Sequence, residues 1–128
     1  MRCGATAARG TTLTILLKEQ ELPGAQLAES ELPGVNAYAA NLTGADLSGS
    51  NLRGAQFWDA KLMQANLSHA KLCGADFSAA NLTGANLTGA DLRGADFRMS
   101  ILFKANLTDA ILDGAIFEGT EMPDGSYR

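Results

Sequence analysis

Apolar residues recur along this chain with a period of five, kept without insertion from Gln20 to Asp124. Divided into 21 five-residue units, this stretch has Leu or Phe at the centre of 19, from Leu22 to Phe117, with Ala37 and Met122 as the exceptions. Two residues before the centre, 15 of the 21 units carry Ala. The position between is mostly Asn, Asp, Gln, Lys or Glu. A helix would smear a five-residue period around its surface, and a flat strand would throw it to alternate faces. The period fits a coil in which each unit forms one short extended side and then turns. Alternation along that side points the central residue and the small residue inward together, with the polar residue between them outward. The last residue of the unit is glycine in 11 of 21 cases, as expected for a corner that needs positive φ. Leu47, Leu67, Leu87 and Leu107 are then expected in one inner column, and Phe57, Phe77, Phe97 and Phe117 in another.

The pattern changes at both ends. Leu13, Leu16 and Leu17 share one helical face behind Thr11 or Thr12 as N-cap, which predicts a short capping helix over 12–20. A β-type lead-in is the rival, since Thr and Ile favour strands. Near the other end, Ile101, Ile111 and Ile116 take the outward position between the two inward ones, and Met99 and Phe103 also fall outward. Two readings stand: the closing tail folds over these residues, or they pair two chains through the C-terminal coil. The divisions expected are 1–19 as tail and capping segment, 20–124 as the repeat, and 125–128 as a C-terminal tail.

Composition narrows the chemistry. Aromatics are only 6% of the 128 residues, so the core is aliphatic and small, and the net charge of −4 gives no reason to expect a nucleic-acid or anionic-membrane partner. The two cysteines, Cys3 and Cys73, read as free thiols rather than a disulfide framework. No membrane span or secretion signal is visible, and a cytoplasmic location is the expectation. The five Asn-Leu-Ser/Thr triplets, at Asn41, Asn66, Asn81, Asn86 and Asn106, match glycosylation acceptors only because the unit repeats. His69 is the single histidine. No second one completes a triad, and His69 and Cys73 read as solvated side chains at a corner and an outward position. No metal-ligand spacing or phosphate loop occurs, so no enzyme activity and no cofactor are expected.

Units such as Ala45-Asp46-Leu47-Ser48-Gly49, Ala85-Asn86-Leu87-Thr88-Gly89 and Ala90-Asp91-Leu92-Arg93-Gly94 resemble the A(D/N)LXX units of the pentapeptide-repeat family. The resemblance covers residues 20–124. It implies an all-β fold, a right-handed, quadrilateral β-helix with four units per coil and about five coils. Residues 20 apart then share a side. The phenylalanine side carries Asp59, Asp76, Asp96 and Glu118 outward against Arg98, with Trp58 and Tyr38 beside them. Trp58, Asp59, Asp76, Asp96 and Glu118 form the candidate interaction surface, since an outward Trp in a small-residue protein points to contact. Ile101, Phe103, Ile111 and Ile116 form the candidate dimer or cap surface. Two functions follow: a scaffold binding an unidentified protein, or a DNA mimic. Some members of the family resemble duplex DNA in width and charge, bind DNA gyrase and protect it from quinolones.

Overall fold

The structure is a computed structural model that describes residues 16–128. Its backbone is a coil of 20 residues per turn. Parallel bridges join each outward residue to the one 20 positions on, from Leu16–Asn36 through Asn86–Asn106 to Ile101–Glu121. Each side is too short to give a longer strand, and a β-turn follows it. The turn closes by a bond from the next unit's first amide to the central carbonyl, as in Ala45 N–H to Leu42 O at 3.0 Å. Its third residue has positive φ, +70° at Gly44, which glycine adopts without cost. Ten described residues other than glycine hold the same conformation, among them Ala39, Asp59, His69 and Ala79.

The inward columns are as the period requires. Leu47, Leu67 and Leu87 are buried in one column, and the rings of Phe57, Phe77, Phe97 and Phe117 stack at 5.2, 5.0 and 5.3 Å in another. Alanine at the small position lets four large side chains share each layer. At three buried sites where that position is Ser or Thr, the hydroxyl donates to the carbonyl of a central residue: Ser50 Oγ to Leu27 O at 2.9 Å, Ser100 Oγ to Phe97 O at 2.6 Å, and Thr120 Oγ1 to Phe97 O. No buried side-chain polar atom among the described residues lacks a partner.

The outward Asn and Asp have a structural task that their reading as merely polar had missed. In each of the 11 units with Asn or Asp there, its Oδ1 accepts the backbone N–H two residues on, at 2.9–3.3 Å. That amide points away from the ladder, and the side chain satisfies it as in an Asx-turn. Where the unit has Pro at the capped position, at Pro23, Pro33 and Pro123, no N–H exists and the outward residue is Glu: Glu21, Glu31 and Glu121.

Two expectations are corrected. Residues 16–20 are not helical: Leu17 and Glu19 donate to Asn36 O and Tyr38 O at 2.9 and 2.8 Å, so the coil already runs from Leu16. The ladder offers these amides partners that a short helix would leave partly unmade. Leu16 points outward and is 57% exposed, so the apolar helical face does not form. Leu13 and the proposed Thr caps lie outside the described residues. Cys73 is neither a solvated side chain nor a free thiol: it is buried and disulfide-bonded. Cys3 lies outside the described residues.

The two ends of the described coil differ from its middle. At the C-terminus, Tyr127 pairs antiparallel with Glu121, and Met122 N–H donates to Ser126 O at 2.7 Å. The tail thus turns back along the 120–124 side, and Arg128 reaches the phenylalanine side, where its carbonyl accepts the Gly119 N–H at 3.0 Å and its guanidinium lies over the Phe117 ring. Leu107, Leu112 and Phe117 of the last coil are partly buried. Their backbone N–H groups have no partner among the described residues, which place no coil against them.

Candidate functional site

The phenylalanine side carries two outward aromatic residues one coil apart, whereas Phe103 stands on the next side and Tyr127 in the tail. The stacked Phe rings beneath hold its strand positions at one spacing, so outward residues 20 apart stand over one another. Tyr38 and Trp58 are such a pair, with ring centroids 4.1 Å apart and planes tilted by 33°. Trp58 is 44% exposed, although its ring is covered on one face by Tyr38. Asp59 follows at the exposed corner with φ of +60°.

The other acidic candidates do not converge with Trp58. Asp76 lies one coil on, half-buried, and its carboxylate accepts both the N–H and the Oγ–H of Ser78, at 2.9 and 2.6 Å. Asp96, a further coil on, is held by Arg98, whose Nη2 lies 2.7 Å from Oδ2. The Arg98 side chain, with its backbone N–H and positive charge, keeps the Asp96 carboxyl below the usual carboxylate range against the opposing effect of burial. Glu118 stands exposed in the last coil. The structure therefore brings Trp58 and Asp59 together with Tyr38, sets Asp76 and Asp96 one coil apart in one row, and places Glu118 in the row of Trp58, three coils on. Much of the acidity belongs to the turns: Asp46 is likewise lowered by the Ser48 hydroxyl and amide, and Asp91 by the Arg93 side chain. Gln56 was not singled out in the sequence, yet it too flanks Trp58; its signal is a Gln where other units place the turn-capping Asn or Asp.

The C-terminal candidates divide. Ile101 bridges Glu121 and is half-buried, and the ring of Phe103 lies near Gly125 of the returning tail. Ile111 and Ile116 stay 45% and 43% exposed, although Arg128 of the tail lies over the Phe117 ring beside Ile116. His69 is exposed and folds over the corner of the next coil, where its ring occupies the space a side chain at Gly89 would need. Among the described residues, no helix is long and apolar enough to cross a membrane.

A family model for pentapeptide repeats matches eight copies over residues 21–59, 60–98 and 100–123. The chain belongs to the pentapeptide-repeat family. Its coil is thus the right-handed β-helix of that family, whose members are in general non-catalytic repeat proteins. It is similar to HetL, a pentapeptide repeat protein involved in heterocyst differentiation regulation from the cyanobacterium Nostoc, at 33% identity and a TM-score of 0.56. That match covers 91% of this chain and 63% of HetL, so the chain spans less than two thirds of HetL's length. It is also similar to a pentapeptide repeat protein of the Arabidopsis thaliana thylakoid lumen, at 34% identity and a TM-score of 0.64, over 88% of this chain and 71% of that one. The likeness to QnrB1, a plasmid-mediated fluoroquinolone resistance protein, is 22% identity and a TM-score of 0.45, over 80% of this chain and 70% of that one, and bears on no functional argument. No curated protein matches the chain.

Proposed function

We propose that this pentapeptide-repeat protein is a non-catalytic interaction scaffold whose phenylalanine side docks a protein partner at Tyr38 and Trp58. The observation that carries this reading is the exposed Trp58 ring, set against the half-buried Tyr38 ring at 4.1 Å on the outward surface of this side. Such rings lose little conformational freedom on contact and bury much area. The test is affinity capture from an extract of the source organism with three baits. Wild type and Thr88→Ala, a change on the opposite side, are expected to hold the same partner, and the double variant Tyr38→Ala/Trp58→Ala to lose it. Undiminished capture by the double variant would overturn the reading.

A duplex mimic is disfavoured by charge. Residues 20–124 hold 13 acidic and six basic side chains, a net of −7. Five coils at strand spacing make roughly 25 Å, over which duplex DNA carries about 15 negative charges. Asp91 and Asp96 are moreover neutralised locally by Arg93 and Arg98. A supercoiling assay decides it: DNA gyrase inhibited or protected from a quinolone by micromolar protein, with the effect lost in Asp76→Asn/Asp96→Asn, would restore the mimic.

The C-terminal end supports a second association, pairing of two copies through the last coil. Unpaired ladder amides at Leu107, Leu112 and Phe117 lie beside exposed Ile111 and Ile116. Light scattering of the wild type is expected to show a dimer at micromolar concentration, and Ile111→Asn/Ile116→Asn a folded monomer. A wild-type monomer at high concentration would overturn this pairing.

A further inference from the structure

Along the phenylalanine side, Asp76 and Asp96 above Trp58 are already engaged, and among the described residues only the exposed Glu118 of the last coil is not. Asp76 takes the Ser78 hydroxyl and amide, and Asp96 takes the Arg98 guanidinium. Around Trp58 the reverse holds. Gln56 is too long to fold back as Asn or Asp does, so the backbone N–H of Trp58 is uncapped. The indole N–H, the Gln56 amide and the Asp59 carboxylate also carry no hydrogen bond or ion pair among the described residues. An exposed indole, fixed by Tyr38 behind it, thus adjoins a carboxylate without a counter-ion.

The sign of the surroundings sets what fits. The four units of this side from 55 to 119 hold Asp59, Asp76, Asp96 and Glu118 against Arg98 alone, a net of −3. Arg98 is bound to Asp96 two coils away, the described cation–π contacts are those of Lys104 with Phe103 and Arg128 with Phe117, and Lys61, two residues from Asp59, forms no ion pair among the described residues. A ring face next to an unpaired carboxylate favours a cation that is flat, weakly hydrated and able to donate at its edge. Guanidinium has all three properties, and the compact, strongly hydrated ammonium of Lys does not.

We propose that Trp58 and Asp59 receive an arginine side chain of the protein partner, its guanidinium plane on the indole and its N–H edge on the Asp59 carboxylate. This rests on the scaffold reading above and names the chemistry its partner presents. Tyr38 is a positioning residue that holds the indole, and Gln56 is free to bond the partner's backbone.

The chain has one tryptophan, so its emission reports this site alone. The experiment titrates the capped tripeptide acetyl-Ser-Arg-Ser-amide into the full chain. Its citrulline counterpart, of the same shape without the charge, and a neutral oligosaccharide are titrated in parallel. A saturable change in Trp58 emission is expected with the arginine peptide, weakening as salt is raised. Binding is expected to fall about tenfold with citrulline, which loses both a partly exposed cation–π contact and an exposed ion pair, and about two- to fivefold in Asp59→Asn, which loses the ion pair alone. Asn accepts the positive φ at this corner at least as well as Asp, so the variant keeps the fold. No saturable change, equal binding of the citrulline peptide, or saturation by the oligosaccharide instead would overturn the arginine assignment. If the extract partner still depends on Tyr38 and Trp58 in that case, the scaffold reading stands and only the arginine assignment falls. If capture is indifferent to both aromatics, the two fall together.

Discussion

The middle coils and the last coil are written in the same five-residue unit, yet they are held differently. From Leu42 to Leu102 the central residues are buried, and each coil donates to and accepts from a neighbour on either side. In the last coil, Leu107, Leu112 and Phe117 are only partly buried and their ladder amides are unpaired among the described residues. The outward position changes on two sides, from turn-capping Asp91 and Asp96 to Ile111 and Ile116, while Asn106 keeps its cap. A unit's contribution therefore depends on its neighbours more than on its own residues, as expected of a one-dimensional stack.

The widest separation between the regions is expected from cavities. Leu87→Ala empties a fully buried column site and is expected to cost about 2–5 kcal/mol. Leu112→Ala in the last coil is expected to cost about 1–2 kcal/mol, since half of that loss is already present. Urea unfolding of both variants measures the gap, and equal losses would mean the end is covered in solution.

The turn caps give a smaller contrast of opposite sign. Asn86→Ala leaves the Thr88 amide without its partner and is expected to destabilise by about 0.5–1.5 kcal/mol. Ile111→Asn supplies a cap where the Asp113 amide has none and removes an exposed apolar side chain. It is expected to hold or raise monomer stability while weakening any dimer. Thermal melts at two protein concentrations separate the effects, and a large loss for Ile111→Asn in the monomer would break the comparison.

Corner residues test whether the middle coils are fully relaxed. Ala79 holds φ of +58° at an exposed corner. Ala79→Gly is expected to stabilise by about 1 kcal/mol, because the strain of a Cβ there exceeds the added freedom of the unfolded chain. No change in the urea midpoint would mean the strain is relieved elsewhere.

The smallest effect is expected from acid. The carboxyls of Asp46, Asp91, Asp96 and Asp124 are lowered, chiefly by the Ser48, Arg93, Arg98 and Ser126 side chains respectively. A lowered folded value favours the charged form, so this stabilisation is full above the ordinary Asp value, about 3.9, and is lost as pH falls through the lower folded values. Unfolding midpoints are expected to stay level from pH 7 to about 5 and to fall below about 4. Asp91→Asn/Asp96→Asn is expected to flatten that fall, and a decline already between pH 7 and 5 would point to other groups.

The order of residues by itself determined the coil. A five-residue period of Leu or Phe with Ala two places earlier admits one inward face per unit, and its phase places Leu87 and Phe77 in their columns. Even the caps were legible in principle: Glu at 21, 31 and 121 precedes Pro by two, whereas Asn or Asp precedes a residue with an N–H to satisfy. Two things were decided only by the stacked coils. The lead-in at Leu16 and Leu17 suits a helix or a strand by local pattern alone, and amide acceptors from Asn36 and Tyr38, 19 residues away, choose the strand. Which acidic residues keep unused charge was likewise hidden: Asp59 and Asp96 look alike along the chain. Asp96 meets Arg98 across its turn, while Asp59 sits at a corner beside Trp58 and forms no ion pair among the described residues. Periodicity records where a side chain points; only the arrangement in space records what it meets there.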